Sequence, residues 1–396
     1  MPDEVESSKK NPYRRFRTFM WVAIGLIALF HVYLAHCLIA GAGLQGLPAW
    51  VGWGTMAMLF GLLPFGMRLS GKLESRLNFA VYLTAMIWLG GFAFFFSLAV
   101  LTDVAKLILS FVYPEASQTA RLSWNHGQGA IILGGGALAL LSAYLTARSK
   151  ARVERVEIPL SKLGKAMDGL RIVQISDVHI GPTLRKAFLH RLVQEVNALK
   201  PDIIAVTGDL IDSEVMALRP QLAPLSELKA PLGAYFVMGN HEFYHGGTLC
   251  EDVVREHGLI VLHNEHRVVS RGNDSLVLAG VTDHDGARFG PSNASRPDLA
   301  FEGAPEGIPW VLLAHQPRSA SAAAKAGADL QLSGHTHGGQ FFPWMFFVRL
   351  QQPMLSGLKR LHGIWVYTNR GAGYWGPPLR LGPTPEISEL ILRCTP

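Results

Sequence analysis

The sequence predicts a chain in two parts, a membrane half of four helices followed by an α/β half, and three observations predict it. Residues 18–67 run for fifty positions without Asp, Glu, Lys or Arg, where one spanning helix needs only about 20. Beyond about residue 155 the pattern changes to short apolar runs separated by amphipathic stretches, as in a sheet crossed by helices. Five of those apolar runs lead directly into Asp, His or Asn. The 396-residue chain as a whole is 49% hydrophobic and 17% charged, below the roughly 25% charged of an ordinary soluble domain.

The first long run is broken by Gly43, Gly46 and Pro48, which suggests a hairpin of two helices over about 19–42 and 48–67. Further uncharged runs at 77–102 and 122–147 give a third span and a fourth near 126–147. The glycines Gly134, Gly135 and Gly136 in the fourth let a neighbouring helix pack closely. Val104 to Tyr113 carries Lys106 and is read as an interfacial piece of loop. Residues 1–155 are therefore taken as the membrane domain and 156–396 as the second domain. His31 and His36 are read as facing other helices or sitting near a membrane interface.

Lys9, Lys10, Arg14, Arg15 and Arg17 precede the first span, Arg68, Lys72 and Arg76 lie between the second and third, and Arg148, Lys150, Arg152 and Arg155 follow the fourth. The excess of Lys and Arg on the cytoplasmic side of membrane proteins then places both ends inside. The expectation is a multi-pass protein, of the inner membrane if the cell is bacterial, with its C-terminal half cytoplasmic. An export leader built on Arg14-Arg15 is disfavoured, because the apolar run exceeds the roughly 7–15 residues of a signal core. The spans carry no internal charge to support transport.

Charge also excludes a partner. The first 147 residues hold 10 Lys and Arg against 6 Asp and Glu, and the rest hold 26 against 24. The second half is nearly balanced, so nucleic-acid binding is not expected. Cys37, Cys250 and Cys394 are too few and too scattered for a disulfide framework or a Cys-x-x-Cys metal knuckle.

In the second half, Arg171–Ser176, Asp202–Thr207, Ala234–Met238, Trp310–Ala314 and Ala328–Ser333 read as buried strands. Leu184, Phe188, Leu192, Val196 and Leu199 mark a helix between the first two, and Ser319 to Ala328 reads as another. The strands lead into Asp177-Val-His179, Gly208-Asp209, Gly239-Asn-His-Glu242, His315 and Gly334-His-Thr-His337. Open α/β sheets place their ligand crevice at such strand ends. Carboxylates, imidazoles and an amide oxygen form a mixed N/O set suited to Mn, Fe, Zn, Co or Ni. Asp177, His179, Asp209, Asn240, His315, His335 and His337 exceed the needs of one ion, and a shared carboxylate would hold two about 3.5–4 Å apart. In Asp177-x-His179 an extended strand end would aim both side chains the same way.

These strings, with Leu313-Ala-His-Gln-Pro317, Thr368-Asn-Arg-Gly371 and Pro385-Glu-Ile387, resemble the signature of the calcineurin-like metallophosphoesterases, in particular their YaeI- and YkuE-type branch. The resemblance covers roughly residues 168–393. It implies a four-layer α-β-β-α sandwich and a hydrolase of phosphomonoesters, phosphodiesters or pyrophosphates, with lipid-linked pyrophosphates among the family's substrates. It further implies that Asp177, His179, Asp209 and His337 hold one divalent ion and Asp209, Asn240, His315 and His335 a second. His241 matches a histidine that is not a ligand and assists the departing oxygen, with Glu242 orienting its ring.

The expected partners are a phosphate-ester substrate, among which a lipid or lipid-linked nucleotide is considered, and a membrane; protein partners are left open. The alternative is a metal-binding membrane scaffold or sensor with negligible turnover. Arg370 is weighed evenly between phosphate contact and a structural ion pair, and His284 is read as part of a turn. For Phe341 to Val348, core packing is favoured over a lip that touches a bilayer or an acyl chain.

Overall fold

The computed structural model describes residues 12–70, 73 and 75–395; Lys9, Lys10 and Lys72, which entered the orientation argument, lie outside them. It separates into two compact units that divide between Leu140 and Leu141. The first holds α1 (Pro12–Gly41), α2 (Gly46–Arg68), α3 (Arg76–Val112) and α4 (Gln118–Ala130), which continues through a π-helical turn at Ile131–Gly135 into α5 (Gly136–Ala147), whose residues from Leu141 onward fall in the second unit. Among the described residues, four helices are long and apolar enough to cross a membrane: Trp21–Gly41, Gly46–Arg68, Arg76–Val112 and Gln118–Ala147. The glycine cluster does permit a close approach, because a Cβ on Gly136 would overlap the Phe95 ring. His31 is buried, stacked on Phe92 at 4.1 Å between ring centroids.

One expectation is corrected here. Val104–Val112 is not a separate interfacial piece but the last part of α3. Helix is favourable there because Asp103 and Lys106, three apart on one face, pair at 2.8 Å. Gln128 serves both, donating to Asp103 at 2.7 Å and accepting from Lys106 at 2.6 Å. Tyr33 adds a hydrogen bond of 2.6 Å to the same carboxylate.

The second unit begins with β1 (Arg152–Leu160), β2 (Arg171–Ile175), α6 (Lys186–Ala198), β3 (Ile203–Val206), α7 (Val215–Leu222) and β4 (Ala234–Phe236). It continues through α8 (Asn240–His245), α9 (Leu249–Glu256), β5 (Ile260–Val261), β6 (Glu265–Arg271), β7 (Asp274–Gly280), α10 (Pro297–Ala300) and β8 (Trp310–Leu313). Last come α11 (Ala320–Lys325), β9 (Leu330–Ser333), α12 (Trp344–Gln351), β10 (Gly357–Leu361), β11 (Ile364–Thr368) and β12 (Glu386–Cys394). Two six-stranded sheets result, ordered β1-β12-β2-β3-β4-β5 and β10-β11-β9-β8-β7-β6. The five expected strands agree with β2, β3, β4, β8 and β9 to within about two residues, as boundaries usually do.

Strand alternation builds the layers. Val173, Ile175, Ile204 and Val206 pack against Leu189, Val193 and Val196 of α6. Their neighbours Ile172, Ile203 and Ala205 point the other way and meet Leu278, Val311, Leu313, Leu330 and Leu332 of the second sheet. On that sheet's outer face Leu312 and Ala279 pack with Ala320 and Ala323 of α11. Helix, sheet, sheet and helix is the four-layer sandwich, and it explains why these strands are apolar on both faces. Leu313→Ala opens a cavity between the sheets and is expected to cost about 2–5 kcal/mol, read as a lowered unfolding temperature of the full-length protein in detergent.

Candidate metal centre

All seven predicted ligand residues stand beyond strand ends and converge. The atoms of Asp177, His179 and His337 that can bind a metal lie within 4.8 Å of one another, as do those of Asp209, His315 and His335. His337 Nε2 is 3.0 Å from His179 Nε2 and 3.4 Å from Asp177 Oδ1. His315 Nε2 is 3.2 Å from both Asp209 Oδ2 and His335 Nδ1, and His179 Nε2 is 3.9 Å from Asp209 Oδ2. Asn240 is buried beside them, and its Oδ1 finds no hydrogen-bond donor.

The backbone explains the convergence, and it differs from the sequence expectation. Asp177 and His179 do not sit on an extended strand end: β2 stops at Ile175, and both residues adopt left-handed conformations with φ of 52° and 51°. Asp209, His335 and His337 do the same, with φ of 52°, 70° and 50°. Such conformations are unfavourable for residues with a Cβ and mark sites that the surroundings over-determine. Here Asp177 N and His179 N donate to Gly208 O and Asp209 O at 3.0 and 3.1 Å, which locks the two loops together. Glycine is required at position 334, because a Cβ there would collide with Ser176 and the Asp177 carboxylate.

Electrostatics make the pocket demanding. Burial raises the pKa of Asp177 to about 6. Burial would also raise Asp209, but the His315 and His241 imidazoles outweigh it and hold that carboxylate well below its usual range. Burial lowers His179 to about 4 and His335 to about 3, with neighbouring His241 and His315 respectively adding to the shift. His315 Nδ1 lies 2.8 Å from the Thr207 carbonyl, so that nitrogen carries the hydrogen and Nε2 is the atom that can ligate. Burial would lower His315, but the Asp209 carboxylate outweighs it and raises His315 well above its usual range, so a proton sits between its Nε2 and Asp209; His337 Nδ1 lies 3.1 Å from the Arg380 guanidinium, which leaves a hydrogen on Nε2 toward His179 Nε2. A proton satisfies one such pair, whereas a divalent cation satisfies several at once, so the donor set fits the two-ion arrangement.

His241 lines the same cleft, of about 530 Å³. Its Nδ1 lies 2.8 Å from Asp212 Oδ1. Burial lowers its pKa, but the Asp209 and Asp212 carboxylates outweigh this and push it up to about 9. Asp212 therefore has the orienting position expected of Glu242. Glu242 instead accepts the backbone N–H groups of Gly239, Asp209, Leu210 and Ile211 at 2.7, 2.9, 2.7 and 3.3 Å. The correction follows from geometry: Glu242, the third residue of α8, caps the Gly239 N–H at its own helix start and reaches across to three N–H groups of the loop after β3.

Two further groups carry little sequence signal. Asp212 stands only three residues after Asp209, and that short spacing was the available clue. Arg380 is fully buried and donates to the carbonyls of Arg370, Gly371, Gly373 and His337, which fixes the loop behind His337; no motif surrounds it. Arg370 forms ion pairs with Glu154 at 3.1 Å and Glu386 at 3.5 Å, the structural alternative, and His284 is exposed.

A two-sheet sandwich with an acid- and imidazole-rich cleft beyond its strand ends defines a metal-dependent phosphoesterase fold. Residues 170–339 match the family model for calcineurin-like phosphoesterases. A "Transmembrane protein with metallophosphoesterase domain" from Danio rerio is 37% identical over 265 residues, 64% of this chain and 61% of that protein. The protein of the same name from Bos taurus is 39% identical over 64% of this chain and 59% of its own length. An uncharacterized metallophosphoesterase of Aquifex aeolicus is 35% identical over 61% of this chain and 92% of its own length. The chain belongs to the calcineurin-like metallophosphoesterases, and it spans about three fifths of the length of the two vertebrate relatives. Asp209→Ala is expected to lower the divalent metal retained by the full-length protein, measured by inductively coupled plasma mass spectrometry.

Proposed function

We propose that the protein is a membrane-anchored phosphoesterase that uses two divalent transition-metal ions to hydrolyse a phosphodiester, phosphomonoester or pyrophosphate bond carried by a lipid or lipid-linked nucleotide. The single observation that supports it most is the pair of adjoining Asp and His clusters beside a His241–Asp212 couple. Asp177, His179, Asp209 and His337 would hold one ion, and Asp209, Asn240, His315 and His335 the other. When bound, the ions supply positive charge to the phosphoryl oxygens and make water more acidic.

The protein's own groups do the rest. Asp212 holds Nδ1 of His241, which leaves Nε2 as the atom that gives a proton to the departing oxygen when the ester P–O bond breaks. Glu242 ties the Asp209 loop to Gly239 through three N–H groups of the one and one of the other. Trp344, Phe347 and Trp375 line the same cleft and exclude water from one wall. A scaffold has no use for the His241–Asp212 couple, which favours hydrolysis over that alternative. The basic residues flanking the spans support a cytoplasmic catalytic half.

The test is hydrolysis by the full-length protein in detergent, metal-loaded or chelated, of bis-p-nitrophenyl phosphate and of CDP-diacylglycerol. Metal-dependent turnover with preference for the lipid nucleotide is expected, and His241→Ala should lose about 10²–10⁴-fold while it keeps its metal. Preference for the soluble ester at every detergent concentration would contradict the lipid assignment, and no turnover with metal bound would contradict hydrolysis itself. His241 is active as the protonated form, which is lost as pH rises. Asp212→Asn removes a charge that holds that proton, so the alkaline limb of kcat should move to lower pH.

A further inference from the structure

Helix α12 (Trp344–Gln351) contradicts the core-packing expectation from Trp344 onward, while Phe341 ahead of it is buried as expected. Six of its eight residues are apolar, Trp344, Met345, Phe346, Phe347, Val348 and Leu350, yet none is buried. Leu350 is 86% exposed, Phe346 and Phe347 each 56%, and Trp344 43%. The patch is continuous: Trp344 lies 5.6 Å from Phe347 and 6.4 Å from Trp375, centroid to centroid. A contiguous exposed apolar surface of this kind marks an interaction site.

It is also held firmly to the metal centre. Gln340, three residues after His337, donates to Trp375 O at 2.8 Å and accepts from Trp375 N at 3.1 Å. Gln352, just past the helix, donates to Gln316 Oε1 at 3.0 Å and accepts from Arg318 N at 3.2 Å. The inner edge of α12 lines the cleft that holds Asp209, His241, His335 and His337. Whatever covers the helix therefore borders the reacting phosphate.

We infer that α12 is a bilayer-docking helix, which enters the interface of the membrane in which the chain is anchored and opens the metal cleft at headgroup level. Charge favours a lipid surface over a second copy of the chain. Residues 330–385 contain no Asp or Glu, and the helix itself carries the exposed Arg349, so two such helices repel each other while anionic headgroups attract each. Trp344, Trp375 and Arg349 are the residue types that settle at a membrane–water boundary. The inference rests on the reading that the chain is membrane-anchored and deepens it by giving the substrate a route from the lipid phase.

The test uses a depth probe that needs no turnover. Cys37 and Cys250 are buried and Cys394 is partly exposed, so full-length Cys394→Ala is the background, with an NBD fluorophore on Leu350→Cys or, for comparison, on exposed Glu302→Cys. In nanodiscs of phosphatidylcholine and phosphatidylglycerol, the label at 350 should lose its emission to doxyl-labelled lipid and be spared by iodide, with the reverse at 302. Quenching at 350 by iodide and not by doxyl lipid would overturn the inference, and so would protection from both quenchers, which marks a face covered by protein. Because the readout is independent of catalysis, an inactive but docked protein contradicts only the proposed hydrolysis.

Discussion

The burial of Asp177 and Asp209 among imidazoles is the constraint on which the rest of the second unit depends. Their exposures are 0% and 2%, and a carboxylate taken out of water must be paired or hydrogen-bonded. His335 N donates to Asp177 at 2.9 Å, and His241 N donates to Asp209 at the same distance. The ring nitrogens of His315 and His337 approach the same two carboxylates. To bring those groups so close, five ligand residues take left-handed backbone conformations, and the two sheets supply the rigid frame that sustains them. The inter-sheet layer of Ile172, Ile203, Leu313 and Leu332 thus acts on function through position, since each strand it fixes carries a loop of the centre.

The two acidic residues near His241 divide the work. Glu242 is spent on four backbone N–H groups, so it sets where Asp209 and Gly239 lie. Asp212 meets the imidazole and sets its tautomer and charge. Removing either would disturb the same ring by different routes, one through the backbone and one through the proton.

Much of this was legible in the sequence because strand, turn and ligand coincide. Short buried strands ending in Asp-x-His, Gly-Asp, Gly-Asn-His and Gly-His-Thr-His specify both the sheet and its crevice, and uncharged runs of helix length specify the spans. What was hidden depends on contacts distant in the chain. Asp212 has no motif of its own, and Arg380 meets His337 forty-three residues away. The continuation of α3 past Asp103 depends on Gln128 in another helix. The segment around α12 looked like core because composition reports apolarity, whereas burial depends on whether another layer covers it.

The proposal that most needs testing is that Asp209 would hold both of two ions in a single cleft. Electron paramagnetic resonance of the full-length protein loaded with Mn²⁺ as a probe tests it directly. Two ions bridged by Asp209 at about 3.5–4 Å predict an exchange-coupled multiline spectrum with two manganese ions bound per chain. A saturated protein that shows only the uncoupled signal of a single ion would contradict the account.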